Sequence, residues 1–227
     1  MTSEWQGVLD PDVLNGDLVD HAARLADAAK AGRWGTVLDL VEHGTWSAVN
    51  QWRITGRSWF TPLHQAAWLG APVGVAERLL NVGAWRSLRT ADGGRPLDLA
   101  RQRGHHHLLE TLAVRDVGPS EESRFAAWDS HLADLIAERA RPLDPVRFRP
   151  VPTELLVMEQ MDTLWVPYPG VYGGVQPLRS PRPARRGELE PRGGRLGPGP
   201  RHHRERVRAG RGGLRLTRRP HSRTAAR

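Results

Sequence analysis

Three adjacent histidines, His105-His106-His107, form the densest run of metal-competent side chains in residues 1–175 of the 227-residue chain. Neighbouring side chains point around a helix and do not converge on one ion, so the run is not expected to hold a metal. Cysteine is absent, which excludes thiolate ligands and a disulfide framework. No Ser-His-Asp arrangement, phosphate loop or metal-ligand spacing stands out, and residues 120–175 contain no paired acid, base or nucleophile. No catalytic residue and no cofactor are expected, and the chain is not expected to be an enzyme.

The remaining chemistry is charge and aromatic surface. The formal net charge is +8, but it is divided unevenly. Residues 176–227 carry 16 Arg and 3 Glu, a charge of +13, which leaves −5 for residues 1–175. A nucleic-acid reading therefore applies to the last 52 residues only. Lys30 is the single lysine against 32 arginines, which points to GC-rich coding DNA. Residues 1–18 hold acids and no basic apolar run, and no apolar stretch approaches the roughly 20 residues of a membrane helix. A cytoplasmic protein without membrane contact is expected.

The elements that position these side chains recur along the chain. Thr61-Pro62-Leu63-His64-Gln65-Ala66-Ala67 is followed by Gly70, Leu79-Leu80 and Gly83-Ala84. Arg95-Pro96-Leu97-Asp98-Leu99-Ala100 is followed by Gly104-His105, Leu108-Leu109 and Leu112. Gly70 and Gly104 are 34 residues apart. A weaker copy has Leu25-Ala26-Asp27-Ala28-Ala29, Gly32, Val37-Leu38 and Gly44, and the stretch from Gly32 to Gly70 is 38 residues. In the clearest unit Thr61 can cap a helix and Pro62 suits its first turn. Small alanines let neighbouring helices approach, and a glycine ends the helix in a left-handed turn. Such units bury one face each and must stack.

Residues 22–114 resemble the ankyrin-repeat family, whose pattern TPLHxAAxxG…LLxxGA is close to the unit at 61–84. The second helix near residues 73–80 carries one residue more than the family spacing. The resemblance implies a mainly α fold, an α-solenoid of about three stacked helix pairs with β-hairpin fingers. It implies protein recognition as the role, with no cofactor. Thr61, Pro62, Leu63, His64, Gly70, Gly83 and Gly104 are then structural, His64 ordering the finger by hydrogen bonds. His105 falls where the pattern itself favours histidine. Gln65 and Trp68 occupy variable positions on a first helix, which lines the concave face in the family. Trp52 and Trp59 flank a finger, and Trp85 sits in a loop where the family often has Asp. These five are the candidate contacts to a protein partner. Trp34 and Trp46 are expected to cover the array instead.

Residues 1–21 read as an N-terminal cap segment and 120–175 as a helix plus a partial β-rich segment. Ser120-Glu121-Glu122 opens the helix, with Phe125, Trp128, Leu132, Leu135 and Ile136 at helical spacing. Leu155-Leu156-Val157-Met158 and Leu164-Trp165-Val166 read as short strands. The Gly-rich stretch 167–174 reads as the opening of a β-hairpin. From Gln176 the composition changes to Arg, Gly and Pro, 31 of 52 residues, and a disordered tail is expected. Arg192-Gly193-Gly194 and Arg211-Gly212-Gly213 match RNA-binding tails, yet the aromatics that such tails interleave are missing. Off-frame reading of GC-rich DNA yields this composition. Written as GAG CTG GAG, Glu188-Leu189-Glu190 becomes Ser-Trp when moved one base. A change of reading frame near Gly174 is the expectation.

The function expected is non-catalytic binding of a partner protein on the concave face. The alternatives are an immunity or antitoxin protein that masks a toxin, and RNA binding through the tail. A polycation releases counterions from any RNA, so weak binding without sequence preference is expected of the tail. In filter-binding titrations, log K should fall linearly with log salt and be equal for unrelated RNAs, and deletion of residues 176–227 should abolish the binding. A sequence preference that persists at physiological salt would contradict this.

Overall fold

The computed structural model describes residues 3–44, 48–140, 147–162 and 164–167, together with the backbone of 174–175, 177–179 and 214–216. The fold is mainly helical. Helices α1 (Gly16–Lys30) and α2 (Trp34–His43) form a first pair, and α3 (Pro62–Leu69) and α4 (Val73–Asn81) a second. Helix α5 (Pro96–Gln102) is followed only by a single 3-10 turn at His106–Leu108, so the third pair is incomplete. The first helix starts at Gly16, ahead of the expected boundary at 22. First helices pack on one another in the order α1, α3, α5, and α2 packs on α4 behind them.

Local chemistry explains the recurrence. Asn15 caps α1 by accepting the Asp17 N–H at 2.8 Å. Pro62 and Pro96 occupy first turns, where a missing N–H costs nothing. The chain leaves each first helix through a glycine with positive φ: 66° at Gly32, 67° at Gly70 and 74° at Gly104. Between the helices lies a core of Leu25, Val37, Leu63, Leu79, Leu108 and Leu112, all essentially unexposed, with Ala28, Ala66 and Ala100 at the close approaches.

The fingers differ from the hairpins expected of them. Within residues 48–61 and 84–95 no strand forms. The turn at 90–94 is closed by Thr90 N–H to Gly94 O at 2.8 Å and Gly93 N–H to Thr90 O at 3.1 Å. Backbone groups that would pair across a hairpin are taken by side chains. The Leu88 carbonyl bonds His64, the Arg89 carbonyl bonds Arg149, and the Ser87 N–H bonds Glu159. Asn50 ties one finger to the next, donating to Gly83 O at 2.8 Å and accepting from the Trp85 N–H at 2.9 Å.

The long helix α6 (Pro119–Ala140) forms as its spacing predicts. The stretch 155–158, expected as a strand, is instead helix α7 (Glu154–Met158). Only Val157 there is β-branched, and the Leu155 N–H bonds Pro152 O to start a turn. Strand β1 (Ser3–Glu4) runs parallel to β2 (Leu164–Pro167), and β2 is antiparallel to β3 (Gly174–Val175). Residues 168–173, most of the expected hairpin opening, lie outside the described residues, as does Trp46. Of the tail expected to be disordered, the described parts are β4 (Pro177–Arg179) and β5 (Leu214–Leu216), which pair antiparallel. These six residues depart from that expectation, and the rest of 176–227 lies outside the described residues. Among the described residues no helix is long and apolar enough to cross a membrane.

Two kinds of glycine separate in mutational tests. A methyl at Gly83 meets nothing within 4 Å, so Gly83→Ala should cost only its backbone strain, about 1–2 kcal/mol. At Gly70 the methyl also meets the His105 ring at 2.5 Å, so Gly70→Ala should cost clearly more in urea unfolding. Equal losses would contradict the packing of His105 on this turn. Leu79→Ala should cost about 2–5 kcal/mol, and a loss under about half a kcal/mol would show the helix to be facing the wrong way.

Candidate functional site

The five residues expected to meet a partner separate into two sets. Trp52 and Trp85 are 1% and 7% exposed, which corrects their assignment as contacts. They are core residues of a second apolar cluster, with Trp5, Leu88, Leu132, Ile136, Leu155, Leu156 and Leu164. An array with an incomplete third pair leaves its fingers with apolar surface, and α6, α7 and β2 with Trp5 cover it. Trp59, Gln65 and Trp68 remain partly exposed.

Trp68 is held on two sides. Phe60 meets it edge-on at 6.1 Å, and the Arg103 guanidinium lies 4.5 Å from its ring centre. Beside it Leu69 is 43% exposed. The histidine run finishes this end of α3: His105 Nε2–H donates to Trp68 O and His107 Nε2–H to Ala71 O, both at 3.1 Å. Two of the three imidazoles thus bond carbonyls of the preceding unit. Among the described residues no group of three His, Asp or Glu side chains is placed to hold a metal.

His64 is fully buried. Its Nδ1 accepts from the Thr61 hydroxyl at 2.8 Å and the Thr61 N–H at 3.3 Å, while Nε2–H donates to Leu88 O at 3.0 Å. One imidazole therefore links the start of α3 to the following finger. Burial holds its pKa down to about 3, and the Arg149 charge acts in the same direction. In the third unit Asp98 takes the equivalent place, accepting the Arg95 N–H at 2.9 Å.

Arg149 was not expected to matter. It is 5% exposed and lies over three indoles: Trp59 at 4.2 Å, Trp52 at 4.5 Å and Trp5 at 5.1 Å. Its Nη2 donates to Arg89 O at 2.7 Å, and Nη1 has no hydrogen-bond partner. Burial lowers its pKa to about 9. Trp59 reaches the guanidinium with φ 57°, a left-handed conformation that bulky residues seldom adopt. Next to this cage Glu154 receives Arg89 at 2.7 and 3.3 Å and Arg95 at 3.5 Å. Glu159 receives the Ser87 N–H at 2.7 Å and the Ser87 hydroxyl at 2.6 Å. Sequence reasoning missed Trp5, Arg149 and Glu154. Trp5 Nε1–H donates to the Arg149 backbone carbonyl at 2.8 Å across 144 residues of chain, and Glu154 pairs with Arg89 and Arg95; no local spacing signals either contact.

The arrangement offers aromatic surface and cations, with imidazoles bonded to backbone carbonyls. It also has a consequence in acid. His64 stays neutral in the folded chain to about pH 3 but takes a proton near pH 6.5 when unfolded. Stability is therefore complete above pH 6.5 and is lost as pH falls towards 3. His21, whose pKa burial also lowers, contributes with the same sign. Urea unfolding between pH 7.5 and 5 should show stability falling by up to about 1.4 kcal/mol per pH unit for His64, with the slope reduced in His64→Gln. An unchanged slope in that variant would contradict the burial of a neutral imidazole. Compared with known proteins, the chain matches no protein-family model and no curated protein.

Proposed function

We propose that the chain is an ankyrin-type interaction module that binds a partner protein without catalysis. The observation that carries this reading is the link made by His64. A Thr-Pro-Leu-His start fixes α3 and reaches the next finger at Leu88, while each first helix ends in a left-handed glycine. Units joined in this way align their first helices side by side, and the partly exposed residues of that layer become one surface. Gln65, Trp68 and Leu69 on α3 supply its centre, with Trp59 at the finger edge. Trp68, clamped between Phe60 and Arg103, is a preorganised aromatic anchor of the kind that dominates protein interfaces. The proposed setting is the cytoplasm. Any contact with nucleic acid belongs to the Arg-rich residues 176–227 and is weak and without sequence preference.

A photoreactive residue in place of Gln65, in the intact chain expressed in its native cells, should capture a discrete partner. The same residue in place of Asp39, on the exposed side of α2, should not. Trp68→Ala should weaken the purified complex by about thirtyfold, the scale of one hot-spot residue. Equal capture from both positions, or an unchanged affinity, would contradict the assignment of this surface.

A further inference from the structure

The Arg149 cage is built like a receptor. Its walls come from the N-terminal strand and one finger, and its contents come from a short extended stretch, 147–149, much later in the chain. That stretch lies along residues 7–9, joined to them by an isolated antiparallel bridge. The Arg149 N–H donates to Gly7 O at 2.7 Å and the Leu9 N–H to Arg147 O at 2.8 Å, with Val8 opposite Phe148 in an antiparallel bridge. Gly7 is shaped for this approach, since a Cβ there would stand 2.5 Å from both Arg149 O and Trp5 Nε1. The side chain then enters among Trp5, Trp52 and Trp59. Main-chain pairing along an edge plus one side chain in a pocket is how protein strands are recognised in trans.

The fit from within is incomplete. The guanidinium carries its charge into the core with no carboxylate among its described partners, and Nη1 is left without a hydrogen bond. Trp59 keeps its contact at the cost of a left-handed backbone. Phe148 makes contacts of its own, while Pro150 and Pro152, which follow, have no N–H to commit to a sheet.

From this geometry we infer that the Trp5–Trp52–Trp59 cage and the backbone edge at 7–9 form a second binding site, for an extended protein segment bearing an arginine. Residues 147–149 fill the site from within, and an external segment of the same chemistry enters by displacing them. The site shares only Trp59, at its edge, with the surface centred on Gln65 and Trp68, and the inference does not rest on that surface being an interface. Arginine is selected over lysine because a planar guanidinium stacks on indoles and still donates in its plane to the Arg89 carbonyl.

The test uses the full chain with Arg149→Ala, and Arg149→Met in case the alanine variant does not fold. Tryptophan fluorescence is followed during titration with ethylguanidinium, with ethylammonium, and with the peptide Arg-Phe-Arg-Pro-Val-Pro that copies residues 147–152. Saturable binding is expected for ethylguanidinium and for the peptide, and binding of ethylammonium should be weaker by about tenfold, the scale of one desolvated cation–π contact. Adding Trp59→Ala should remove about the same factor, whereas adding Val13→Ala, at an exposed position outside both surfaces, should change nothing. In the unaltered chain, excess peptide should speed hydrogen exchange at the Arg149 amide. Absence of saturable binding in both Arg149 variants would overturn the site. No effect of the peptide on the unaltered chain would show 147–149 to be a permanent part of the core. Peptide-sensitive dimers would mean that the external segment is a second copy of this chain.

Discussion

A guanidinium with no carboxylate among its described partners holds this molecule together at its middle. Moving an ion out of water costs several kcal/mol, and each cation–π contact returns about 0.5–2 kcal/mol. Three indoles and the bond to Arg89 O are therefore of the size needed to offset the burial of Arg149, with little left over. The value of the interaction lies in where it fixes the chain. It sets the first finger through Trp52 and Trp59, the second through Arg89, the N-terminal strand through Trp5, and the later segment through its own backbone. The lowered pKa of Arg149, to about 9, still leaves it charged at neutral pH, so the cage always contains a cation.

The stacked helices explain why such a closure is needed. Each helix pair buries one face against its neighbour, and here the third pair stops after α5 and one 3-10 turn. Their joints are polar and directional: His64 to Leu88, His105 to Trp68, His107 to Ala71, Asn50 to Gly83. These bonds set the spacing of the units but do not dry the finger side. The apolar faces of α6, α7 and β2 do that, and the ion pairs of Glu154 with Arg89 and Arg95 align α7 on the second finger. Glu154 is nearly buried, so these pairs are less screened by solvent than the surface pair Arg78–Glu42.

The helical units were legible in the residues because each repeats the same local chemistry. A left-handed glycine recurs at Gly32, Gly70 and Gly104, first-turn prolines at Pro62 and Pro96, and paired alanines at 28–29 and 66–67, and local rules suffice to read them. The α6 helix was legible for the same reason. The cage was not, since its members lie at positions 5, 52, 59 and 149, and burial there is decided by what packs on top. Trp52 and Trp85 look like exposed anchors when only their own unit is considered. They become core once α6, α7 and β2 cover them. The expected finger hairpins and the strand at 155–158 failed similarly: side chains of remote residues took the backbone bonds of the second finger, and a proline-led turn made the helix α7. Of the candidate site, Gln65, Trp68 and Trp59 keep the exposure that their positions suggested.

The most direct test of the account is the magnetic environment of Arg149. Proton–nitrogen spectra of the arginine side chains should contain one guanidinium whose protons are shifted upfield by the surrounding indoles and exchange slowly with water. Its signals should disappear in Arg149→Met. If every arginine side chain instead shows the shifts and fast exchange of a solvated guanidinium, Arg149 is not in the cage, and the closure of the fingers must have another cause.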